Sequence, residues 1–147
     1  MEDLIILGAV AVFFVVSYFI GSQNEKNHFA NIMKREKSLI LLPAVTLKAA
    51  EERPVVQTKL VMGNVVIAGD FFKQIVAQLA SFFGVRISVA ESLVDRARRE
   101  AILRMKEQAV GADAILNVRV ESMKIGEREQ MSGLEAMAYG TAVYYAK

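Results

Sequence analysis

The chain has 147 residues, a net charge of +2 and no cysteine. A balance so close to neutral, with Lys and Arg interspersed among acids, argues against a nucleic-acid-binding surface, which needs clustered basic residues. The absence of cysteine excludes disulfides and thiolate metal sites, and the length allows one compact domain beside a terminal segment.

The first predicted element is an apolar helix near the N-terminus. Residues 4–20 read LIILGAVAVFFVVSYFI, and as a helix they would span about 26 Å, close to the thickness of a bilayer's hydrocarbon core. We therefore predict a single transmembrane anchor over residues 1–22. The alternatives are a cleaved signal peptide, which the acidic Glu2 and Asp3 disfavour, and a buried soluble helix, which is disfavoured because every face is apolar.

The orientation of this anchor follows from its basic neighbours. All four follow the run within about 17 residues, and none precedes it: Lys26, Lys34, Arg35 and Lys37. The positive-inside rule therefore predicts a cell-membrane protein with the lipid bilayer as a partner, its N-terminus outside and its C-terminal domain in the cytoplasm. Residues 23–54 form the juxtamembrane helix and tether. Residues 23–38 could lie on lipid headgroups or continue as a stalk, and both alternatives remain open.

The domain over residues 55–147 begins with a strand rich in β-branched residues. Asp70 is placed to cap the helix that follows, over residues 71–83. This helix is apolar beyond a single stripe, and a two-layer domain covers only one of its faces. We predict that a second copy of the chain covers the rest; packing of residues 39–42 against it is the alternative. The candidate interface residues are Phe71, Phe72 and Phe82.

A second helix and two strands complete the predicted domain, with a polar turn or flexible loop over residues 126–133 between the strands. The helix begins near Ser88, whose spacing from Glu91 fits a capping box, and Gly111 ends it. Its outer face carries opposite charges four residues apart, which we interpret as a solvated face. Residues 116–121 alternate apolar and polar, as in a strand with one solvated face. The last strand, over residues 135–145, turns only small residues to one face, so either the second helix or a ligand must approach it closely.

Four short motifs occur along this domain: Gly69-Asp70-Phe71-Phe72, Phe83-Gly84-x-Arg86, Gly111-Ala112-Asp113-Ala114 and Gly140-Thr141-Ala142-Val143. In this order and spacing they resemble the YbjQ family, small bacterial and archaeal proteins that carry a heavy-metal-binding label and are otherwise uncharacterised. The resemblance covers residues 55–145. It implies an α+β fold, with two helices on one face of an antiparallel sheet in the order β-α-α-β-β, and a ring-shaped homo-oligomer, with a pentamer suspected.

The metal-binding label of that family finds few ligands in this chain. There is no cysteine, and the one histidine, His28, lies outside the matching region. Four acids near strand ends could still converge on the axis of a ring, although none stands out: Glu121, Glu127, Glu129 and Glu135. No Ser-His-acid set, Cys-His set or phosphate-binding loop is present, and we interpret Asp113 as capping the turn's amides. We therefore predict no enzyme, no cofactor and no assigned metal site.

Two functions remain at this point. The first is a membrane-anchored, ring-forming binding or scaffold module that faces the cytoplasm and contacts an unknown protein partner. The alternative is a ring that binds a small ligand or a metal ion in subunit clefts or on its axis. We favour the first, because the apolar run and the over-apolar helix are positive evidence, whereas the second depends on a family label whose usual ligands are missing.

Overall fold

The computed structural model describes residues 2–47, 53–68, 89–125 and 133–146. The described elements are α1 (Glu2–Ser38), β1 (Val55–Ala68), α2 (Val89–Glu107), β2 (Ala114–Ile125) and β3 (Gly133–Tyr145). The helix predicted over residues 71–83 lies outside the described residues, so its packing stays a prediction.

The three strands form one antiparallel sheet in the order β1-β3-β2. The central strand β3 pairs with β1 along the whole length of both strands, from Val55 opposite Tyr145 to Ala68 opposite Gly133. The pairing of β2 with β3 shifts register between Leu116 and Arg119. Asn117 lies inside this irregularity with a φ of 53°, a conformation that asparagine tolerates better than most residues.

Helix α2 packs across one face of the sheet through small residues. Ala97 and Ala101 of α2 are fully buried, and the alanines of β3 that face them are buried in the same core: Ala136, Ala138 and Ala142. The small-residue face of the last strand therefore packs against the second helix, which is the first of the two predicted alternatives. The closest approach is at Gly63 of β1, where a Cβ atom would overlap the backbone of α2 at Ala101 and Met105.

The predicted fold class is wrong, because it placed a transmembrane helix before the domain. Among the residues that the structure describes, no helix is long and apolar enough to cross a membrane. The apolar run has only 17 residues, about 26 Å of helix, which is the lower limit for crossing a hydrocarbon core about 30 Å thick. The same helix α1 continues without a break into a charged half that ends at Ser38.

Two further expectations change with that finding. The localisation in a cell membrane, with the N-terminus outside and the domain in the cytoplasm, was inferred from the span and is wrong with it. Residues 23–38 were expected on lipid headgroups or as a stalk. They continue the first helix as the second half of α1, and side chains from Glu25 to Glu36 contact α2.

Candidate interaction surfaces

Many of the residues singled out in the sequence lie outside the described part of the chain. These are Gly69, Asp70, Phe71, Phe72, Phe82, Gly84 and Arg86, together with the acids Glu127 and Glu129. The roles predicted for them, including the contact of the three phenylalanines with a second copy, stay predictions.

The motif residues Gly111, Ala112 and Asp113 form the turn that leads from α2 into β2. Gly111 has a φ of 75°, the left-handed conformation that glycine adopts without a steric penalty. The Asp113 carboxylate accepts a hydrogen bond from the Tyr145 backbone N–H at 2.9 Å, and the Asp113 N–H donates to Val143 O at 3.0 Å. Asp113 therefore has a structural role, but the amide that it satisfies belongs to β3 and not to the turn.

Gly140 and Thr141 lie in the middle of β3, on opposite faces of the sheet. A Cβ atom at Gly140 would lie 2.8 Å from Cγ2 of Ile115 and 3.2 Å from Cγ2 of Val118. The glycine is thus needed where the irregular part of β2 approaches β3. The described motif residues serve packing and turn geometry, and they do not converge on a ligand site.

The sheet face opposite α2 carries apolar side chains that no described element covers. Val61 and Gly140 face α2, so their neighbours along each strand point to the other side. On that side Leu60, Met62 and Val66 of β1 are 64%, 49% and 59% exposed, and Met123 of β2 is 60% exposed. We call this set, together with two half-buried residues of β3, the open face: Leu60, Met62, Val66, Met123, Met137 and Tyr139.

Charges of both signs lie on the open face. Arg119 is opposite Tyr139, Glu121 is opposite Met137, and Glu135 is opposite Met123 in the pairing of β2 with β3. The Tyr139 hydroxyl donates to Oε1 of Glu121 at 3.2 Å. Two of the four acids considered as metal ligands thus share this face, but the described residues contain no group of three His, Cys, Asp or Glu side chains that could hold a metal ion.

The outer edge of β1 pairs with no other strand among the described residues. Side chains of α2 and of the turn after it close only the middle of this edge. Gln108 Oε1 accepts from the Met62 N–H at 3.4 Å, and Arg104 Nη1 donates to Asn64 O at 2.8 Å. No described element covers the remainder of this 14-residue strand, and an open strand edge is the kind of structure that accepts a strand from another chain.

A cluster of ion pairs joins α1 to α2, and Glu100 is at its centre. Glu100 is only 3% exposed, and it accepts hydrogen bonds from Arg35 Nη1 and Arg104 Nε, both at 2.8 Å. Burial disfavours its charge, but the two guanidinium groups outweigh burial and lower the pKa of Glu100. Arg35 also donates to both carboxylate oxygens of Glu107, at 2.7 and 2.9 Å. His28 Nε2 lies 4.0 Å from Glu100.

A second bidentate pair lies beside the first. Arg99 of α2 donates to both oxygens of Glu36 at 2.8 and 2.7 Å, and these bonds lower the pKa of the Glu36 carboxyl. The same guanidinium lies over the Phe29 ring, 5.7 Å from its centroid, and 3.6 Å from Asp95. We call the contacts of Arg35 with Glu100 and Glu107, and of Arg99 with Glu36, the charge clamp.

Sequence reasoning missed the charge clamp. The outer face of α2 was interpreted as solvated, with pairs four residues apart inside the helix. Two such pairs form, Asp95 with Arg99 and Glu100 with Arg104, but three bidentate or buried contacts cross to α1 instead. The available signal was that residues 25–37 carry charges of both signs, as α2 does.

The sequence of this domain is similar to those of known proteins. A family model described as "Putative heavy-metal-binding" matches residues 42–146. The chain belongs to the YbjQ family. The UPF0145 protein of Thermosipho africanus is 40% identical over 91 residues, which cover 60% of this chain and 80% of that protein. The UPF0145 protein of Acetivibrio thermocellus is 39% identical over 101 residues, 67% of this chain and 93% of that protein.

The YbjQ membership predicted from the motifs is thus confirmed, and the matched region begins after helix α1. A crystal structure of a protein of unknown function from Pediococcus pentosaceus aligns with 71% of this chain and 98% of its own, with a TM-score of 0.45 and 13% identity. A similarity at that level supports no argument about function.

Proposed function

We propose that this YbjQ-family protein is a non-catalytic binding module that works as a homo-oligomer. The observation that carries this proposal is the open face, where four large apolar side chains of the outer strands β1 and β2 are about half to two-thirds exposed, with half-buried Met137 and Tyr139 of β3 between them. Contiguous exposed apolar surface of this kind is typical of protein contact sites. The flexible methionines on it suit an adaptable contact.

A second copy of the chain is the occupant that the charges favour. Arg119 and Glu135 lie on the same face, so one surface carries both members of an ion pair. In a two-fold contact, residue i of one copy meets residue j of the other and the reverse, and such a face complements itself. Contacts through the β1 edge would be head-to-tail if they met a different surface of the next copy. Such contacts generate rings, including the pentamer that the family resemblance implies.

Soft metal-ion binding is the second candidate, and one arrangement on the open face favours it. Met62 is opposite Tyr139 and Met137 is opposite Asn64, so the two methionines are diagonal neighbours on one face. Diagonal neighbours lie about 7–8 Å apart, within reach of long side chains. Thioether sulfur binds Cu(I) and other soft cations, and the family is described as heavy-metal-binding.

Native mass spectrometry of the full chain tests both candidates together. The Met62→Glu substitution places a charge on the open face and should lower the subunit count, whereas Met33→Glu on α1, where the side chain is 51% exposed, should not. A wild-type chain that is monomeric throughout the micromolar range would refute the oligomer. Met62→Leu keeps the apolar surface and removes the thioether. If added Ag(I) binds the wild type but not Met62→Leu, the metal candidate gains support; equal binding by both proteins contradicts it.

A further inference from the structure

The edge of β2 that points away from β3 is covered by residues 43–47 of the same chain. These residues run parallel to β2 and are joined to it by an isolated bridge between Ala44 and Ile115. Three β2 amides donate to this segment: Ile115 to Pro43 O at 2.9 Å, Asn117 to Leu47 O at 2.8 Å and Val118 to Val45 O at 3.0 Å. A stretch this short that contains a proline is a poor template for a further strand, so it protects the sheet from pairing on this side.

The chain upstream of this cover is attached to the domain through one fully buried apolar side chain and a set of charged contacts. Ile32 is the one fully buried large side chain among residues 28–47, and Leu42 and Ala44 pack partly buried against the core. Polar and charged groups make further contacts with α2: the charge clamp, the stacking of Arg99 over the Phe29 ring, and a hydrogen bond from Lys106 Nζ to Leu39 O at 3.3 Å. Attachment of this kind is weakened by salt, whereas apolar packing is not.

We infer that residues 28–47 form a strap that covers the β2 edge and that the charge clamp keeps closed. Opening the strap frees the three β2 amides. The sheet then has two open edges, one at β1 and one at β2, on opposite sides. One free edge allows only pairwise strand addition, whereas two free edges allow each copy to join a neighbour on both sides. The part of the inference that concerns joining of copies rests on the proposed oligomer, whereas the existence of the strap does not.

Site-resolved amide hydrogen exchange on the full chain measures strap opening directly. The reporters are the amides of Ile115, Asn117 and Val118, which donate to the strap. The internal control is the Asp113 amide, which donates to Val143 O of β3 and not to the strap. Arg35→Gln removes the contacts of the clamp with Glu100 and Glu107 and leaves that of Arg99 with Glu36. Lys34→Gln is the matched variant, because it removes the same charge from the exposed neighbouring position on the same helix.

We expect Arg35→Gln to accelerate exchange of the three reporter amides by about tenfold or more, which corresponds to loss of one charge-assisted hydrogen bond. About 1 M NaCl should produce the same pattern in the wild type, because it shortens the screening length to about 3 Å. Lys34→Gln and the Asp113 amide should not change. If Arg35→Gln does not fold, the salt series on the wild type decides.

Two results would overturn the strap. One is acceleration of Asp113 together with the reporter amides, because the segment would then open only when the domain unfolds. The other is unchanged exchange of the reporters in both the variant and high salt. The subunit count of the same samples separates this inference from the proposed oligomer. If the reporter amides exchange faster but the subunit count does not rise, the inference that the strap opens is supported and assembly through the β2 edge is contradicted.

Discussion

Gly63→Ala should destabilise the domain through a single added methyl group. The Cβ atom would meet the carbonyl oxygen of Ala101 and the backbone nitrogen of Met105, both closer than Cβ atoms come to other atoms in real proteins. These are helix backbone atoms and cannot rotate away as a side chain could, so α2 must move off the sheet. Overpacking of this kind costs about 1–3 kcal/mol, and we expect the upper half of that range because the buried Ala97 and Met105 move with the helix.

Gly133→Ala is the matched control, and it should raise the free energy of unfolding where Gly63→Ala lowers it. The nearest atom to a Cβ at Gly133 is Ile67 O at 3.4 Å, an ordinary contact, and alanine reduces the entropy of the unfolded chain. We expect this variant to gain about 0.4–1 kcal/mol. Urea unfolding followed by circular dichroism measures both free energies of unfolding. A Gly63→Ala protein within about 0.5 kcal/mol of the wild type would refute the close contact between helix and sheet.

Two further predictions concern the turn and the charge clamp. Asp113→Ala should lower the free energy of unfolding by about 1–3 kcal/mol, because it leaves the Tyr145 N–H without its acceptor, and Asp113→Asn should recover part of that loss; equal losses in urea unfolding would contradict the assigned hydrogen bond. The pKa values of Glu36 and Glu100 in the folded protein lie below their ordinary value of 4.5. Their contribution to the free energy of unfolding is therefore complete above about pH 4.5 and is lost as the pH falls through these lower pKa values. Thermal unfolding from pH 7 to 3 should show that loss in the wild type and a smaller one in Glu36→Gln, and parallel curves would contradict it.

Local sequence patterns predicted the elements that depend on short-range chemistry. The alternation over residues 116–121 and the small residues of the last strand both lie in strands, and Gly111 has the left-handed conformation that glycine favours, although α2 ends four residues before it, at Glu107. Each of these follows from side-chain periodicity or from the backbone preference of one residue. The ordered motifs also indicated the family correctly.

The errors and omissions concern contacts between distant parts of the chain. Residues 4–20 predicted a membrane span from composition alone, but the described helices include none long and apolar enough to cross a membrane. Arg35 and Glu100 are 65 positions apart, and nothing local to either residue indicates the bond between them. The parallel pairing of residues 43–47 with β2 is likewise invisible in a segment too short to show a strand period.

The sequence by itself therefore determined the strands, the helix α2, the special backbone positions and the family, because these depend on neighbours within a few residues. Only the tertiary structure decided which surfaces are covered and which remain open. The open face exists because the register of β1 and β2 with β3 brings side chains of three strands together. The strap is held against the domain because charged side chains of α1 pair with those of α2, as Arg35 does with Glu100. Pairing over such separations is set by the whole fold, since its free energy becomes available only after the chain has closed the intervening loops.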